Sequence, residues 1–125
     1  MTIFKVAVAQ AASHPSDAQA STAKAVDLIT QAHQAGASLL VFPEAFLGGY
    51  PKGASFGAPV GMRKPEGRQA YLDYFNNAID LNGPEVEAIA EATRSTGMFA
   101  VIGCIERELG TLYCTVLFFN GAQGL

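Results

Sequence analysis

The chain has 125 residues, a length that fits one domain able to bury a sizeable core. Half of the residues are apolar and only 15% are charged, which excludes an intrinsically disordered chain. The net charge is −3 and the pI is near 5.2, so the chain lacks the basic character typical of nucleic-acid-binding proteins. No nucleic-acid partner is therefore expected.

The cysteine content and the hydropathy pattern indicate a cytoplasmic protein. Two cysteines and no N-x-[ST] acceptor favour a reducing cytosol over a secreted, disulfide-stapled scaffold. The N-terminus begins directly with a strand pattern instead of a basic segment followed by a long apolar one, so no signal peptide is expected. No apolar run approaches the roughly 18 residues that span a bilayer, and no membrane partner is expected.

The first third of the chain predicts a β-α-β unit. Residues 3–10 (IFKVAVAQ) have a strand pattern, and Ser16 with Gln19 has the spacing of a capping box that begins a helix. Apolar residues then recur at helical period until Gly36, which is placed to end the helix in the left-handed conformation. Residues 38–42 predict a second strand, which we expect to run parallel to the first.

The rest of the chain predicts a long loop, two helices and a hairpin. Residues 48–65 are rich in Gly and Pro, and ordered loops of this length are usually functional. Helices are predicted over 66–79 and from Pro84, at a first helical position, to Gly97. Residues 98–106 and 111–120 predict a hairpin whose first strand is apolar on both faces and must be covered on both sides. Asn120-Gly121 then predicts a turn that a further strand should follow, so we expect an incomplete α/β domain.

Residues 39–51 (LLVFPEAFLGGYP) carry the most chemical information. An apolar run of strand length ends in a proline and places Glu44 at the carboxyl end of a buried strand, where α/β proteins usually bind ligands. Apolar surroundings can raise the pKa of a carboxylate toward that of a working general base. The alternative interpretation is a solvated strand end that happens to be acidic.

The sequence context excludes a serine-hydrolase nucleophile elbow and a phosphate-binding loop. Residues 53–57 (GASFG) match the G-x-S-x-G nucleophile elbow, but no strand precedes them and no helix follows directly. His14 and His33 both precede the serine, whereas the histidine of such a triad follows it. No Gly-Lys-[Ser/Thr] completes a phosphate loop.

Metal ligation and cysteine catalysis within these residues are likewise not predicted. The histidines and cysteines show no paired spacing typical of a metal site, so no metal is expected. Cys104 and Cys114 lie in the apolar strands of one hairpin, where cysteine usually behaves as a small buried hydrophobe. We therefore predict structural roles for both.

Several segments together resemble the start of the nitrilase (carbon–nitrogen hydrolase) superfamily. They are residues 6–10 (VAVAQ), 35–46 (AGASLLVFPEAF), 48–53 (GGYPKG), 83–86 (GPEV), 105–107 (IER) and 111–119 (TLYCTVLFF). The similarity is to the nitrilase branch, in particular the plant-type nitrilases and their bacterial relatives, and it extends over nearly the whole chain.

The resemblance implies the N-terminal part of an α-β-β-α sandwich and a Glu-Lys-Cys triad that uses no metal or organic cofactor. Glu44 falls on the family's glutamate, the base that activates the cysteine for attack on the nitrile carbon. The resulting thioimidate is hydrolysed through a thioester to the carboxylic acid and ammonia, while the lysine stabilises the charge that develops. Tyr50 and its loop would help to shape the substrate pocket.

The family's lysine and cysteine positions fall beyond Leu125, so the resemblance assigns only the glutamate base to this chain. We expect the chain alone not to hydrolyse nitriles. A sandwich cut part-way exposes an apolar sheet face and a strand edge, so we expect the isolated chain to be marginally soluble, to self-associate or to need a partner. A homo-oligomer is expected. The alternative hypothesis is a non-catalytic fragment or pseudo-subunit that acts by association with a full-length relative.

Overall fold

The computed structural model describes residues 1–58, 61 and 63–125. The described residues form a single four-stranded sheet with three helices, in agreement with the predicted α/β class. The elements are β1 (Val6–Val8), α1 (Ala18–Gln34), β2 (Leu39–Val41), α2 (Pro65–Asn76), α3 (Pro84–Thr96), β3 (Phe99–Glu108) and β4 (Thr111–Phe119). The strand order in the sheet is β1-β2-β3-β4, and only β4 runs antiparallel to its neighbour.

The predicted β-α-β unit is confirmed, but its strands are short. β1 and β2 pair in parallel with Val6 opposite Leu39, and each has three residues. Backbone hydrogen bonds continue beyond β1, since the amide of Ala9 donates to the carbonyl of Val41 at 2.8 Å. Shortly after β2 comes Pro43, which has no amide proton to offer a ladder. The pairing is therefore interrupted there.

The N-terminus of α1 differs from the prediction by one residue. Asp17 is the capping residue, and its Oδ1 accepts a hydrogen bond from the amide of Ala20 at 2.8 Å. Ser16 lies outside the helix with a left-handed φ of 57°. The predicted capping box at Ser16 and Gln19 is therefore wrong, because the carboxylate of Asp17 reaches the third amide of the helix first. Gly36, with a φ of 79°, follows the helix as predicted.

α1 and α3 cover one face of the sheet and enclose the core. The core contains buried side chains from both helices and from β2, β3 and β4: Ala25, Ile29, Val86, Ile89, Leu40, Ile102, Leu117 and Phe119. α3 has the predicted bounds, with Pro84 at its first turn and Gly97 closing it at a φ of 70°. The sequence signals at both ends of this helix therefore agree with its structure.

α2 ends three residues earlier than predicted. Its last residue is Asn76, and the backbone of Ile79 instead pairs with β3 through the carbonyl of Ile105 and the amide of Arg107, both at 2.8 Å. Tyr71 and Leu72 of α2 are exposed. A ladder contact with β3 replaces the last helical turn, and the helix packs only partly against the sheet.

The other face of the sheet is apolar, and the described residues leave it uncovered except near Gly103 and Ile105. The strand register places the side chains of Val8, Phe99, Val116 and Phe118 on this face, and all four are exposed, Val8 at 76% and Phe118 at 68%. The prediction that β3 is covered on both sides is met on the side of α1 and α3, and on the other side only where Ala45 and Ala78 pack on Ile105. We call this surface the open sheet face.

The hairpin is confirmed, and its turn is shorter than predicted. β3 and β4 pair from Ala100 opposite Phe119 to Glu108 opposite Thr111, which leaves a two-residue turn at Leu109 and Gly110. The predicted loop over 48–65 is largely confirmed, but Pro59, Val60 and Met62 lie outside the described residues. Among the residues that the structure describes, none of the helices is long and apolar enough to cross a membrane.

Candidate functional site

Glu44 lies in a short excursion of the chain, residues 43–46, between two contacts with β3. The amide of Phe42 donates to the carbonyl of Val101 at 2.8 Å, and the amide of Leu47 donates to the carbonyl of Gly103 at 3.1 Å. Between these two contacts the backbone bends away from the ladder. Glu44 is therefore held beside β3, close to the carboxyl end of β2, as the sequence predicted.

Gly103 makes room for this excursion. A Cβ atom at this position would lie 2.6 Å from the amide nitrogen of Ala45, 2.7 Å from the Cα of Glu44 and 2.8 Å from the carbonyl oxygen of Pro43. Distances below 3.0 Å are not tolerated by backbone atoms. The sequence analysis missed this contact, although a glycine inside a strand commonly marks a close backbone approach.

Cys114 is the side chain that contacts the carboxylate. Its thiol donates a hydrogen bond to Oε1 of Glu44 with an Sγ–O distance of 3.2 Å, and Cys114 is exposed. This hydrogen bond is the main cause that raises the pKa of the Cys114 thiol, with smaller contributions from desolvation and from the charge of Glu44. The predicted environment of Cys114 in a packed apolar strand is therefore wrong, because it projects from the open sheet face beside Glu44.

Cys104 matches its predicted environment. It is fully buried, and burial raises the pKa of its thiol to about 12. The strand register explains the difference, since Cys104 lies on the helix-covered face and Cys114 lies opposite Ile105 on the other face. The sequence pattern alone left these two faces undistinguished because both are apolar.

Glu44 and Tyr50 line one concavity of about 550 Å³, so the structure brings both predicted site residues together. Lys52, Tyr74 and Cys114 line the same concavity. None of these three was predicted as a site residue. We call this concavity the Glu44 cleft.

Two side chains, one in α2 and one directly after it, hold the Gly48-Gly49 turn next to the cleft. The hydroxyl of Tyr74 donates to the carbonyl of Gly49 at 3.2 Å, and the side-chain amide of Asn77 donates to the carbonyl of Gly48 at 3.0 Å. Burial is the main cause that raises the pKa of Tyr74, so the phenol remains a proton donor at neutral pH. Asn77 also accepts a hydrogen bond from the amide of Ala18 at 2.8 Å, which ties the turn to the start of α1.

A second concavity of about 610 Å³ lies between the loop and α2 but does not include Glu44. It contains Ser55, whose segment 53–57 lies in the loop with neither a strand before it nor a helix directly after it. The structure of this segment agrees with the exclusion of a nucleophile elbow. The Glu44 cleft, which holds the ionisable groups in mutual contact, is therefore the better candidate site.

The described ranges offer no cluster of three or more His, Cys, Asp or Glu side chains that could hold a metal ion. The polar groups of the Glu44 cleft are a carboxylate, a thiol, two phenols and an ammonium group. This set can transfer protons and donate hydrogen bonds, and it contains one group that can act as a general base.

Comparison with known sequences identifies a family. The carbon-nitrogen hydrolase profile matches residues 5–125. A nitrilase of Bradyrhizobium diazoefficiens (blr3397) is 66% identical over 122 residues, which are 98% of this chain and 38% of that protein. The aliphatic nitrilase of Sinorhizobium fredii is 51% identical over 120 residues, 96% of this chain and 39% of that protein. Nitrilase 2 of Arabidopsis thaliana is 44% identical, and the matched residues make up 35% of that protein.

Solved structures agree on the fold. An amidase from Nesterenkonia sp. superposes with a TM-score of 0.63 at 21% identity and covers 95% of this chain and 39% of its own. A glutamine-dependent NAD+ synthetase from Acinetobacter baumannii gives a TM-score of 0.59 at 22% identity, covering 98% of this chain and 20% of its own. The chain thus spans less than two fifths of the length of these relatives. Its sequence match over residues 5–125 shows that it belongs to the carbon–nitrogen hydrolase family.

Proposed function

We propose that this chain is the N-terminal part of a nitrilase-type hydrolase that converts a nitrile and water into a carboxylic acid and ammonia. Glu44 acts as the general base in this reaction. The observation that carries the proposal is the position of Glu44, a carboxylate held on a glycine-dependent excursion and open to the cleft that Tyr50 also lines. The nitrilase names of the similar sequences support the choice of reaction.

The proposed chemistry assigns one step to this chain. Glu44 takes the proton of a cysteine thiol supplied by residues outside 1–125. The thiolate attacks the nitrile carbon, and the nitrile nitrogen takes up that proton to give a thioimidate. Water then replaces nitrogen, ammonia leaves, and hydrolysis of the resulting thioester releases the acid. The reaction requires no metal or organic cofactor, and a thiolate nucleophile is best preserved in the reducing cytoplasm.

Cys114 contacts the base but does not suit the role of nucleophile. Cys114 lies in the middle of β4, paired with Ile105, and not at the strand end or helix N-terminus where nucleophilic cysteines are activated. The nucleophile is therefore assigned to the family's cysteine position.

The proposal can be tested in a chimera. Residues 1–125 replace the matching segment of the nitrilase from Bradyrhizobium diazoefficiens, to which they are 66% identical. We expect the chimera to release ammonia from nitriles. Glu44→Gln should lower kcat by about 10²- to 10⁴-fold, the usual contribution of a general base.

The matched control is Glu108→Gln, which neutralises an exposed carboxylate at the end of β3, away from the Glu44 cleft. It should leave kcat unchanged. Comparable kcat values for the Glu44→Gln chimera and the unmodified chimera would refute the role of Glu44. Ammonia release by residues 1–125 alone would contradict the assignment of the nucleophile to another part of the protein.

A second candidate function is association without catalysis, as a pseudo-subunit of a full-length relative. The open sheet face favours it, because Val8 and Phe118 are exposed over most of their surface in the described chain. Mixing the tagged chain with a full-length nitrilase should then give a stable complex with altered activity. Recovery of the two proteins separately by size exclusion, with unchanged nitrilase activity, would refute this function.

A further inference from the structure

We propose that Cys114 is a positioning residue for Glu44: its thiol donates a hydrogen bond to Oε1 and fixes the carboxylate, leaving Oε2 to receive the proton of the nucleophilic thiol. The inference rests on the proposed function of Glu44 as a base. The contact on which it is built is a feature of residues 1–125 themselves.

The hydrogen bond joins a thiol whose position is set by the sheet to a carboxylate that lies outside the sheet ladder. Cys114 lies within the continuous ladder between β3 and β4, opposite Ile105, so its Cα position is set by the sheet. Glu44 is exposed on an excursion outside the ladder, where its side chain could rotate freely. Among the described residues, the thiol of Cys114 supplies the one side-chain hydrogen bond that Glu44 receives.

A neutral thiol suits this task chemically. A lysine or arginine donor would hold the carboxylate equally well, but its positive charge would lower the basicity of Glu44. A thiol donates weakly and carries no charge while protonated. Because the hydrogen bond favours the protonated thiol, the donor persists at the neutral pH at which the base must be ionised.

The first experiment measures the contact in residues 1–125 without any need for catalysis. Alkylation by iodoacetamide is followed against pH, and Cys114→Ser gives the background from Cys104. We expect the midpoint for Cys114 to fall in Glu44→Gln and to stay unchanged in Glu108→Gln. For each pH unit by which the midpoint falls, the alkylation rate measured at a pH below both midpoints should rise about tenfold. The reason is that the rate follows the fraction of thiolate. Equal midpoints in the original chain and in Glu44→Gln would overturn the proposal.

The second experiment measures the consequence in the chimera. Cys114→Ala should lower kcat at nearly constant KM and shift the acidic limb of the pH profile of kcat/KM. Cys114→Ser, which restores a donor of similar size, should recover most of the lost kcat. Activity of Cys114→Ala equal to that of the unmodified chimera, or loss of activity in Cys114→Ser as complete as for a missing nucleophile, would overturn the positioning role.

The two experiments separate the possible failures. An inactive chimera would refute both the proposed function and the positioning role. The alkylation midpoints would still show whether the thiol and the carboxylate are in contact. An active chimera that depends on Glu44 but tolerates Cys114→Ala removes only the inference about Cys114.

Discussion

The position of the candidate base depends on a glycine in another strand. Gly103 allows the backbone at Pro43, Glu44 and Ala45 to pass within 3 Å of where its Cβ would be. A backbone in such contact cannot yield as a flexible side chain would. The excursion that carries Glu44 and the strand that carries Gly103 therefore constrain one another.

Gly103→Ala should destabilise the protein and displace Glu44. Overpacking of this kind costs about 1–3 kcal/mol, and the movement should break the hydrogen bond from Cys114. Urea unfolding measures the first effect, and the pH midpoint of Cys114 alkylation measures the second. Gly110→Ala is the control, because a Cβ atom there has no neighbour within 4 Å. A Gly103→Ala variant with unchanged stability and unchanged alkylation would show that the excursion does not depend on this glycine.

Cys104 should make stability fall at alkaline pH. Its pKa is raised to about 12 in the folded protein, whereas an unfolded thiol ionises near 8.5. The stabilisation is complete below about pH 8.5 and is lost between there and about pH 12, because only the unfolded chain releases the proton. The slope from this group is about 1.4 kcal/mol per pH unit. Urea unfolding from pH 8.5 to 11 should show a shallower decline for Cys104→Ala, and parallel curves would contradict the prediction.

Two residues of this site could be predicted from the sequence, but the contacts of Glu44 with other strands could not. Glu44 and Tyr50 could be identified because a strand, a proline and a Gly-Gly-Tyr-Pro turn lie together in one short segment. The contacts of Glu44 with Gly103 and Cys114 depend on the pairing of β2 with β3, which are distant in sequence, and on the register of the β3–β4 hairpin. With both faces of β3 and β4 apolar, period-two alternation could not show which cysteine faces Glu44.

At the scale of elements, two neighbouring polar residues at the start of α1 have different roles. Asp17 caps the helix through Oδ1, while Ser16 occupies a left-handed conformation before it. A cap contributes stability through the hydrogen bond of its side chain. A left-handed residue is instead constrained by its backbone angle, which glycine adopts without penalty.

Asp17→Ala should therefore lower the free energy of unfolding by about 1 kcal/mol, the usual cost of a lost cap. Ser16→Gly should leave it unchanged or raise it, because glycine relieves the strained φ. Thermal and urea unfolding of the two variants provide the comparison. A larger loss from Ser16→Gly than from Asp17→Ala would restore Ser16 as the capping residue.

The elements that could be predicted well carry their own signals at both ends. α3 has Pro84 at its start and Gly97 at its end, and the structure follows both. α2 has no comparable stop, and its C-terminal boundary is set by the pairing of Ile79 with β3. Such a non-local hydrogen bond has no local signature, so the helix was predicted three residues too long.

At the scale of the whole molecule, the sheet is covered unequally. The helices α1 and α3 pack on one face, and the open sheet face presents Val8, Phe99, Val116 and Phe118 to solvent. Monomeric proteins rarely leave a contiguous apolar surface of this kind on a sheet. The family resemblance implies a second sheet at this position, and the chain spans 38% of its relative from Bradyrhizobium diazoefficiens.

Residues 1–125 should therefore self-associate through the open sheet face at micromolar concentration. The double variant Val8→Thr/Phe118→Thr keeps residues that favour strands but adds a hydroxyl at the two most exposed positions of the face, so it should shift the population toward monomer. Leu109→Asn is the control, since Leu109 is 94% exposed but lies in the hairpin turn, away from that face. Sedimentation velocity distinguishes the outcomes. If hydrophobicity alone drove association, the control would reduce it as well, whereas a monomeric original chain would show that the open sheet face is stable in water without a partner.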